Sequence, residues 1–409
     1  MKISILLPYK ENFSPEYPGA VSLFVSDTTA ISRYKNSIKV YGSTYYKTSF
    51  KIKYQNIALK KVLIKSQTRS YINKFIEYER NEPSDLIEIH NRPVYLKHLL
   101  KRLNKRTYTI FFHNDPLSME GSKSINDRNF LLKNCYRIIF NSNWSKNRFL
   151  QNLDPAYINS EKLKVFFQSA KKGSYKNLNS KKKWITFVGK LNKAKGYDIF
   201  CTAIKKVLDD NKDWIAIIVG DEKREKIDLD HQNIKKLGFI NHNKVLSIYK
   251  KTSIAVVCSR WEEPFGRTSL EAAANGCAVI VSNKGGLPET VTNSIILEDL
   301  NASELYKKIT TLINNVKIRK KLQYQSIKNF FLSHKYVSSL IDDYRDEKIK
   351  KINLFFTKKN KINLRILHIT NFNERLDGRL FFNTGRRINN GFIRLGHSVL
   401  GFSDRDIVK

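Results

Sequence analysis

The chain has 409 residues, 41% of them hydrophobic and 12% aromatic, which is more than one core usually serves and enough to fill two. Lys and Arg outnumber Asp and Glu by 74 to 37, for a formal charge of +37 and an isoelectric point near 9.9. The apolar run within Met1–Pro8 is too short for a signal peptide, no run reaches the ~18 apolar residues of a membrane span, and the four cysteines (135, 201, 258, 277) lack the paired spacing of a disulfide framework or a zinc site.

These features predict a cytoplasmic protein. A charge this large points to nucleic acid or to an anionic membrane surface, or to no more than a coding bias toward Lys, Asn and Ile. No helix-turn-helix, zinc finger or aromatic ribbon accompanies it, so nucleic acid is set aside as a partner. A peripheral place on the inner face of the cell membrane is kept.

In chain order, strands are predicted at Lys2–Leu7, Leu86–Ile89, Thr109–His113, Arg137–Asn141 and Lys164–Phe167, with helices near 19–33, 58–79, 94–104, 123–134 and 143–151. Such alternation gives a parallel sheet covered on both faces. Residues 94–106 put Leu96, Leu99, Leu100 and Leu103 on one helical stripe, with Lys97, Lys101, Arg102, Lys105 and Arg106 elsewhere; residues 58–76 are similar, with Lys60, Lys61, Lys65, Arg69 and Lys74. A lysine near an anionic leaflet contributes about 1 kcal/mol, but both apolar stripes suit a protein core equally well.

After a polar linker, alternation restarts with strands Trp184–Val188, Trp214–Val219 and Lys236–Phe239, helices at 196–210 and 244–251, strand Ile254–Cys258, a helix opening at Gly266, and strand Ala278–Val281. Two long helical segments, 302–330 and 335–351, follow. The fold class is therefore α/β, with two doubly wound Rossmann-like domains facing across a cleft, the natural place for an active site. The expected divisions are 1–170, a linker at 171–183, a second domain at 184–335, a helix and basic linker at 336–361, and a tail at 362–409. The tail holds a strand from Arg365, a loop with Gly378 and Gly385, a helical stretch, and a closing strand within Gly396–Phe402. About 45 residues cannot build such a domain, so the tail is read as the incomplete start of a further Rossmann-like unit, as a segment that packs on a partner, or as an add-on to the main fold.

Residues 258–286 are the most informative. A strand runs into a loop holding Glu263, Pro264, Phe265 and Gly266, a helix carrying Glu271 follows, and a second apolar strand comes directly after. This sets free backbone N–H groups and a helix dipole beside two acids at the carboxyl edge of a parallel sheet, where ligands bind and phosphate is favoured. The acids suit hydroxyls, as in a sugar or a ribose. Upstream, Phe187-Val-Gly-Lys-Leu-Asn-Lys-Ala-Lys-Gly196 ends a strand at a glycine and supplies Lys190 and Lys195, which fits neutralisation of a diphosphate leaving group. The bland alternative is an ordinary buried βαβ unit with solvated acids.

With Pro-Phe-Gly between the two acids and Gly285-Gly-Leu-Pro-Glu289 closing the unit, the stretch resembles the Glu-x7-Glu signature of retaining family 4 glycosyltransferases of the GT-B fold. The resemblance implies Glu263 at the donor sugar, Glu271 at the ribose, and Phe265, Gly266, Arg267 and Thr268 around the phosphates. It puts Lys190 and Lys195 on the diphosphate; the family has Arg where this chain has Lys190, which loses the bidentate fork but keeps the charge. Residues 239–240 become candidates for the nucleobase. In the first domain the match is looser. His113, at a strand end, corresponds to a histidine that contacts the donor sugar, although a structural histidine bonded within its loop is an equal reading. Ile89-His-Asn-Arg-Pro93 is a candidate acceptor cluster. Relatives have a glycine pair beside the phosphates where this chain has Tyr17-Pro-Gly-Ala20, leaving Gly19 alone.

The implied activity is transfer of a sugar from a nucleoside-diphosphate sugar to the hydroxyl of a glycan or lipid-linked acceptor, with retention, in cell-surface polysaccharide or lipopolysaccharide synthesis. No cofactor and no metal is expected, since lysines and a helix terminus neutralise the leaving group and no Asp-x-Asp motif sits on a suitable loop. A nicotinamide enzyme would need Gly-x-Gly-x-x-Gly after a strand, which the sequence lacks. A catalytically silent GT-B module that scaffolds a partner transferase is the alternative.

Overall fold

A computed structural model describes residues 1–59, 66–357, 363–370 and 384–403. Among these residues the first sheet has seven strands in the order β3-β2-β1-β4-β5-β6-β7, namely β1 (Ile3–Leu6), β2 (Ile38–Gly42), β3 (Tyr54–Asn56), β4 (Leu86–His90), β5 (Thr107–Phe112), β6 (Arg137–Phe140) and β7 (Leu163–Val165). All its pairings are parallel. Ile3–Leu6 is buried along its whole length, as expected of a strand covered on both faces. The covering helices are α1 (Ala20–Thr29), α2 (Gln67–Asn81), α3 (Tyr95–Arg102), α4 (Ile125–Asn134) and α5 (Asn143–Leu150). Strand order reverses between β1 and β4, so a crevice opens at their carboxyl ends.

The second sheet has six strands in the order β10-β9-β8-β11-β12-β13: β8 (Lys182–Val188), β9 (Ile215–Val219), β10 (Ile234–Lys236), β11 (Thr252–Val257), β12 (Ala278–Ser282) and β13 (Ser294–Leu297). Helices α6 (Tyr197–Asp210), α7 (His242–Lys251), α8 (Arg267–Ala274), α9 (Ala302–Asn314) and α10 (Val316–Lys328) flank it. Each sheet has its own core, around Phe75, Leu99, Ile110 and Phe140 in the first lobe and around Phe187, Phe200, Ile254 and Ile280 in the second. The two doubly wound lobes are those expected. Three edge or near-edge strands, β2, β3 and β13, were not foreseen; β3 (Tyr-Gln-Asn) has no apolar run and takes its register from β2.

The polar stretch 171–183 lies against the second lobe. Gly173 N donates to Ala274 O at 2.8 Å, and Lys181 Nζ donates to Tyr249 O at 2.9 Å and Asn275 O at 2.8 Å. Beyond the second sheet, α11 (His334–Thr357) returns to the first lobe. Ser338 Oγ donates to Thr28 O at 2.8 Å, and Asp342 accepts from Ser32 Oγ at 2.6 Å and Arg33 N at 2.7 Å. Residues 1–342 form one compact unit and 343–409 a second. In the second unit β14 (Arg365–Thr370), α12 (Thr384–Arg394) and β15 (Ser398–Ser403) form a parallel strand–helix–strand piece. Gly378 lies outside the described residues, and Gly385 is buried in α12.

The leucine stripe of α3 faces the core. Leu96 and Leu99 are fully buried and Leu103 nearly so, while Lys97, Lys101 and Arg102 are exposed. Helix α2 likewise buries Tyr71, Ile72, Phe75 and Ile76 and exposes Arg69 and Lys74; Lys60, Lys61 and Lys65 lie outside the described residues. The core reading of these stripes therefore holds, and only the cationic faces are open to a surface. Among the described residues no helix is long and apolar enough to cross a membrane. Leu99→Ala is expected to cost about 2–5 kcal/mol and Lys101→Ala less than about 0.5 kcal/mol in equilibrium denaturation; equal, small effects would mean the stripe is not core.

Candidate active site

The cavity between the lobes begins with two loops of the second lobe. The loop after β11 is tied to the loop after β8: Arg260 N and Trp261 N both donate to Ala194 O at 3.0 Å, and Ser259 Oγ donates to it at 3.0 Å. Gly196 makes this approach feasible. Its φ is +71°, and a Cβ there would run into the Cys258 carbonyl. Gly266, at φ +110°, is the N-cap of α8 and turns the chain so that the helix starts at the cavity wall; a Cβ would press into Leu287. Phe265 is buried, its ring 5.7 Å from that of Phe167, and so anchors the turn.

The resulting cavity holds about 250 Å³. The first lobe contributes Ala20, His113, Asn114 and Asn141 to its lining, and the second contributes Gly189, Lys195 and Glu263 through Thr268. Of the residues singled out from sequence, His113, Lys195, Glu263, Phe265, Gly266, Arg267 and Thr268 thus converge on one space. Lys190, Glu271 and Gly19 do not line it. Lys190 is exposed on the loop after β8. Gly19 caps α1, and the carboxylate of Glu11 fills the space beside it, accepting from Ser22 N and Ser22 Oγ at 3.0 Å. Burial raises the Glu11 pKa.

The acids of the site are already paired. Lys195 Nζ forms an ion pair with Glu263. Glu271 is buried and accepts from Arg267 Nε at 2.6 Å and His242 Nε2 at 2.8 Å. Burial pushes the Glu271 carboxyl up, but Arg267 and His242 outweigh it and hold the group below the ordinary carboxylate value. The same guanidinium reaches the first lobe, where Arg267 Nη2 lies 2.7 Å from Asp27 Oδ2 on α1. Arg267 Nη1 is buried with no hydrogen-bond partner among the described residues. His334 Nδ1 stands 3.9 Å from the same Asp27 oxygen.

His113 follows β5 and has its backbone clamped, its N donating to Asn91 Oδ1 at 3.2 Å and its O accepting from Asn141 Nδ2 at 3.0 Å. Its Nε2 lies 2.9 Å from His90 Nδ1, and its buried Nδ1 has no partner among the described residues. Burial, then the neighbouring His90, hold its pKa well below the ordinary histidine value, so the ring is neutral.

Residues not foreseen complete the junction. Glu289 of the second lobe accepts from Asn143 N at 2.7 Å and Trp144 N at 2.7 Å and so closes the amino end of α5 in the first lobe. Ser142 Oγ donates to Pro264 O at 2.5 Å. Glu289 ends the Gly-Gly-Leu-Pro-Glu segment noted in the sequence, and His90 belongs to the Ile89–Pro93 cluster noted there; Asp27, Asn141 and His242 carry no comparable signal. Among the described residues no cluster of three or more His, Cys, Asp or Glu could hold a metal ion.

Comparison with known proteins agrees with the two-lobed fold. Residues 169–329, most of the second lobe, match the family model described as glycosyl transferases group 1. Spore coat protein SA of Bacillus subtilis is 27% identical over 158 residues, which is 34% of this chain and 42% of that protein. The lipopolysaccharide core biosynthesis mannosyltransferase LpsB of Rhizobium meliloti is 28% identical over 125 residues, 28% of this chain and 35% of that protein. The chain thus spans less than half the length of these relatives. The crystal structure of Anabaena Alr3699/HepE in complex with UDP-glucose superposes with a TM-score of 0.66 at 18% identity, covering 86% of this chain and 100% of that one. The two lobes therefore have the GT-B fold, with the group 1 glycosyl transferase match carried by the second.

Stability should fall in mild acid. Below the ordinary histidine value of 6.5 the unfolded chain binds a proton at His113 that the folded chain refuses, so the unfolded state gains. His113→Asn removes this penalty, and its melting temperature should drop less between about pH 7 and about pH 5 than that of the native chain. An identical drop in both proteins would remove His113 as the cause.

Proposed function

We propose that the chain is a retaining glycosyltransferase, moving a sugar from a nucleoside-diphosphate donor to an acceptor hydroxyl. The reading is carried by the convergence of Lys195, Glu263 and the amino end of α8 on one interlobe cavity, in a lobe that matches group 1 glycosyl transferases. A related fold binds UDP-glucose in Alr3699/HepE, which favours a nucleotide sugar as donor.

Breaking the anomeric bond places negative charge on the departing diphosphate. The N–H groups at the start of α8 and the Lys195 ammonium lie where that charge develops, and such preorganised donors are worth most in a water-poor site. Lys195 is held by Glu263; on donor arrival it exchanges that carboxylate for phosphate oxygens, leaving Glu263 free to accept hydroxyls of the sugar. Lys190 reaches the phosphates from the rim. Glu271, oriented by Arg267 and His242, takes the ribose hydroxyls. The neutral His113 offers Nδ1 to the sugar. No metal is assigned a role, and activity should survive a chelator. The acceptor is a glycan or lipid-linked sugar of a surface polysaccharide or lipopolysaccharide, with the exposed cations of α3 set against an anionic leaflet.

Hydrolysis of UDP- and GDP-sugars by the purified chain tests the enzyme reading. Glu263→Ala should lower turnover by roughly 10²-fold and leave affinity for the free nucleoside diphosphate nearly unchanged. Glu271→Ala should weaken nucleotide binding by roughly 10- to 100-fold. Donor binding without turnover under any condition would leave a silent scaffold instead, and equal loss of nucleotide affinity in both variants would refute the division of roles.

A further inference from the structure

We propose that His90 and Asn91, at the carboxyl end of β4, are positioning residues for His113: Asn91 holds its backbone, and His90 donates to its Nε2, so that the His113 ring turns an Nδ1–H to the cavity. The use of that N–H on a sugar rests on the donor reading above; the place of the proton does not. His90 and Asn91 are only 2% and 4% exposed. They therefore act through His113 and not, as the Ile89–Pro93 segment alone suggests, by touching an acceptor.

The sheet brings the two histidines together. His90 stands opposite Phe111 in the β4–β5 register, and side chains two apart on a strand share a face, so His113 emerges on the side of His90. The His90 ring lies flat on Phe111, with centroids 4.5 Å apart and planes 5° apart. Phe24 of α1 meets the His113 ring in a T-shaped contact at 5.1 Å. These neighbours hold both rings against turning over.

Asn91 has φ +56°, a left-handed conformation that strains a residue with a Cβ and that glycine adopts readily. Glycine would serve the backbone alone, so this position uses the side chain. Turned back over the end of β5, Asn91 Oδ1 accepts from His113 N at 3.2 Å and Asn114 N at 3.0 Å, while Asn91 N donates to Phe111 O at 2.7 Å. Arg92 Nη1 closes the turn on Asn91 O at 2.8 Å.

His113 Nε2 and His90 Nδ1 are 2.9 Å apart, a separation that takes one proton between them. If His113 supplied it, its Nδ1 would meet the cavity as a bare lone pair, able to bond only a hydroxyl whose hydrogen points at it. If His90 supplies it, the single proton of the neutral His113 ring sits on Nδ1. That nitrogen is buried with no partner among the described residues, and an N–H there bonds any oxygen of a sugar or a phosphate.

Nitrogen NMR of isotope-labelled histidine rings in the ligand-free chain tests the place of the proton. The His113 signals, identified by their loss in His113→Asn, should show a protonated Nδ1 and a bare Nε2. His90→Phe keeps a ring on Phe111 but cannot donate, and should move the His113 proton wholly or partly to Nε2. His90→Asn, whose amide N–H can take the place of Nδ1–H, should restore the native pattern. A native His113 with its proton on Nε2, or signals unmoved by His90→Phe, would overturn the proposal. The consequence is read in hydrolysis of UDP-glucose as probe. Asn91→Gly keeps the turn and should lower turnover by roughly 10- to 100-fold with KM within about twofold; Asn91→Asp, which retains the accepting oxygen, should recover most of it. Undiminished turnover in Asn91→Gly, or equal losses in both variants, would overturn the part given to Asn91. A native chain that turns over no nucleotide sugar would overturn the donor reading, while the ring signals would still decide where the proton lies.

Discussion

A guanidinium buried between two carboxylates holds the site in its present form. Arg267 bonds Glu271 on its own helix and Asp27 on α1 of the opposite lobe, with its side chain only 10% exposed. Removing such a cation from water costs several kcal/mol, recovered only when geometry and partners are in place. Asp27 is in place only while the lobes are together. The orientation of Glu271 and the closeness of the lobes are thus two readings of one charge arrangement, with His242 and His334 at its ends.

The same economy appears across the cavity. Lys195 rests on Glu263, and Glu11 sits at the start of α1, where an anion is electrostatically welcome. The site therefore keeps its charges satisfied by its own side chains, and a phosphate or hydroxyl that enters exchanges one partner for another instead of meeting bare ions. Contacts with no charge to exchange hold the frame meanwhile: Ser142 on the Pro264 carbonyl, and Phe265 against Phe167. Glu289 adds a fixed bond network to the amino end of α5. The loop that presents Glu263 is consequently braced by the first lobe on one side and by the Ala194 carbonyl on the other.

The leucine stripe of α3 serves the core of the first lobe. Helix α3 turns Leu96 and Leu99 to the core and its cations outward. An amphipathic stripe has the same period whether it faces a core or a bilayer, so only the packing distinguishes the two. The tail follows the predicted order of strand, helix and strand, yet leaves Leu367, Ile369 and Leu400 exposed, a sheet face that a parallel pair ordinarily covers.

Largely apolar runs such as Ile3–Leu6 and Ala278–Ser282, wholly buried, made the parallel sheets legible from residue pattern alone, because strands covered on both faces are near-continuously apolar. Glycines at 196 and 266, which a tight turn into a helix start demands, together with Lys195 and Glu263, marked the cavity wall, whereas Lys190 and Glu271 lie off it. Edge strands such as β3 escaped, because pairing with a neighbour and not composition makes them strands. The partners of the charges also escaped. Arg267 meets Asp27 across 240 residues of chain, Glu263 meets Lys195 across 68, and Tyr17 meets Phe239 from the other lobe. Local pattern sets where a side chain sits on its own element; which distant group it faces depends on how the lobes pack, and packing settled that here.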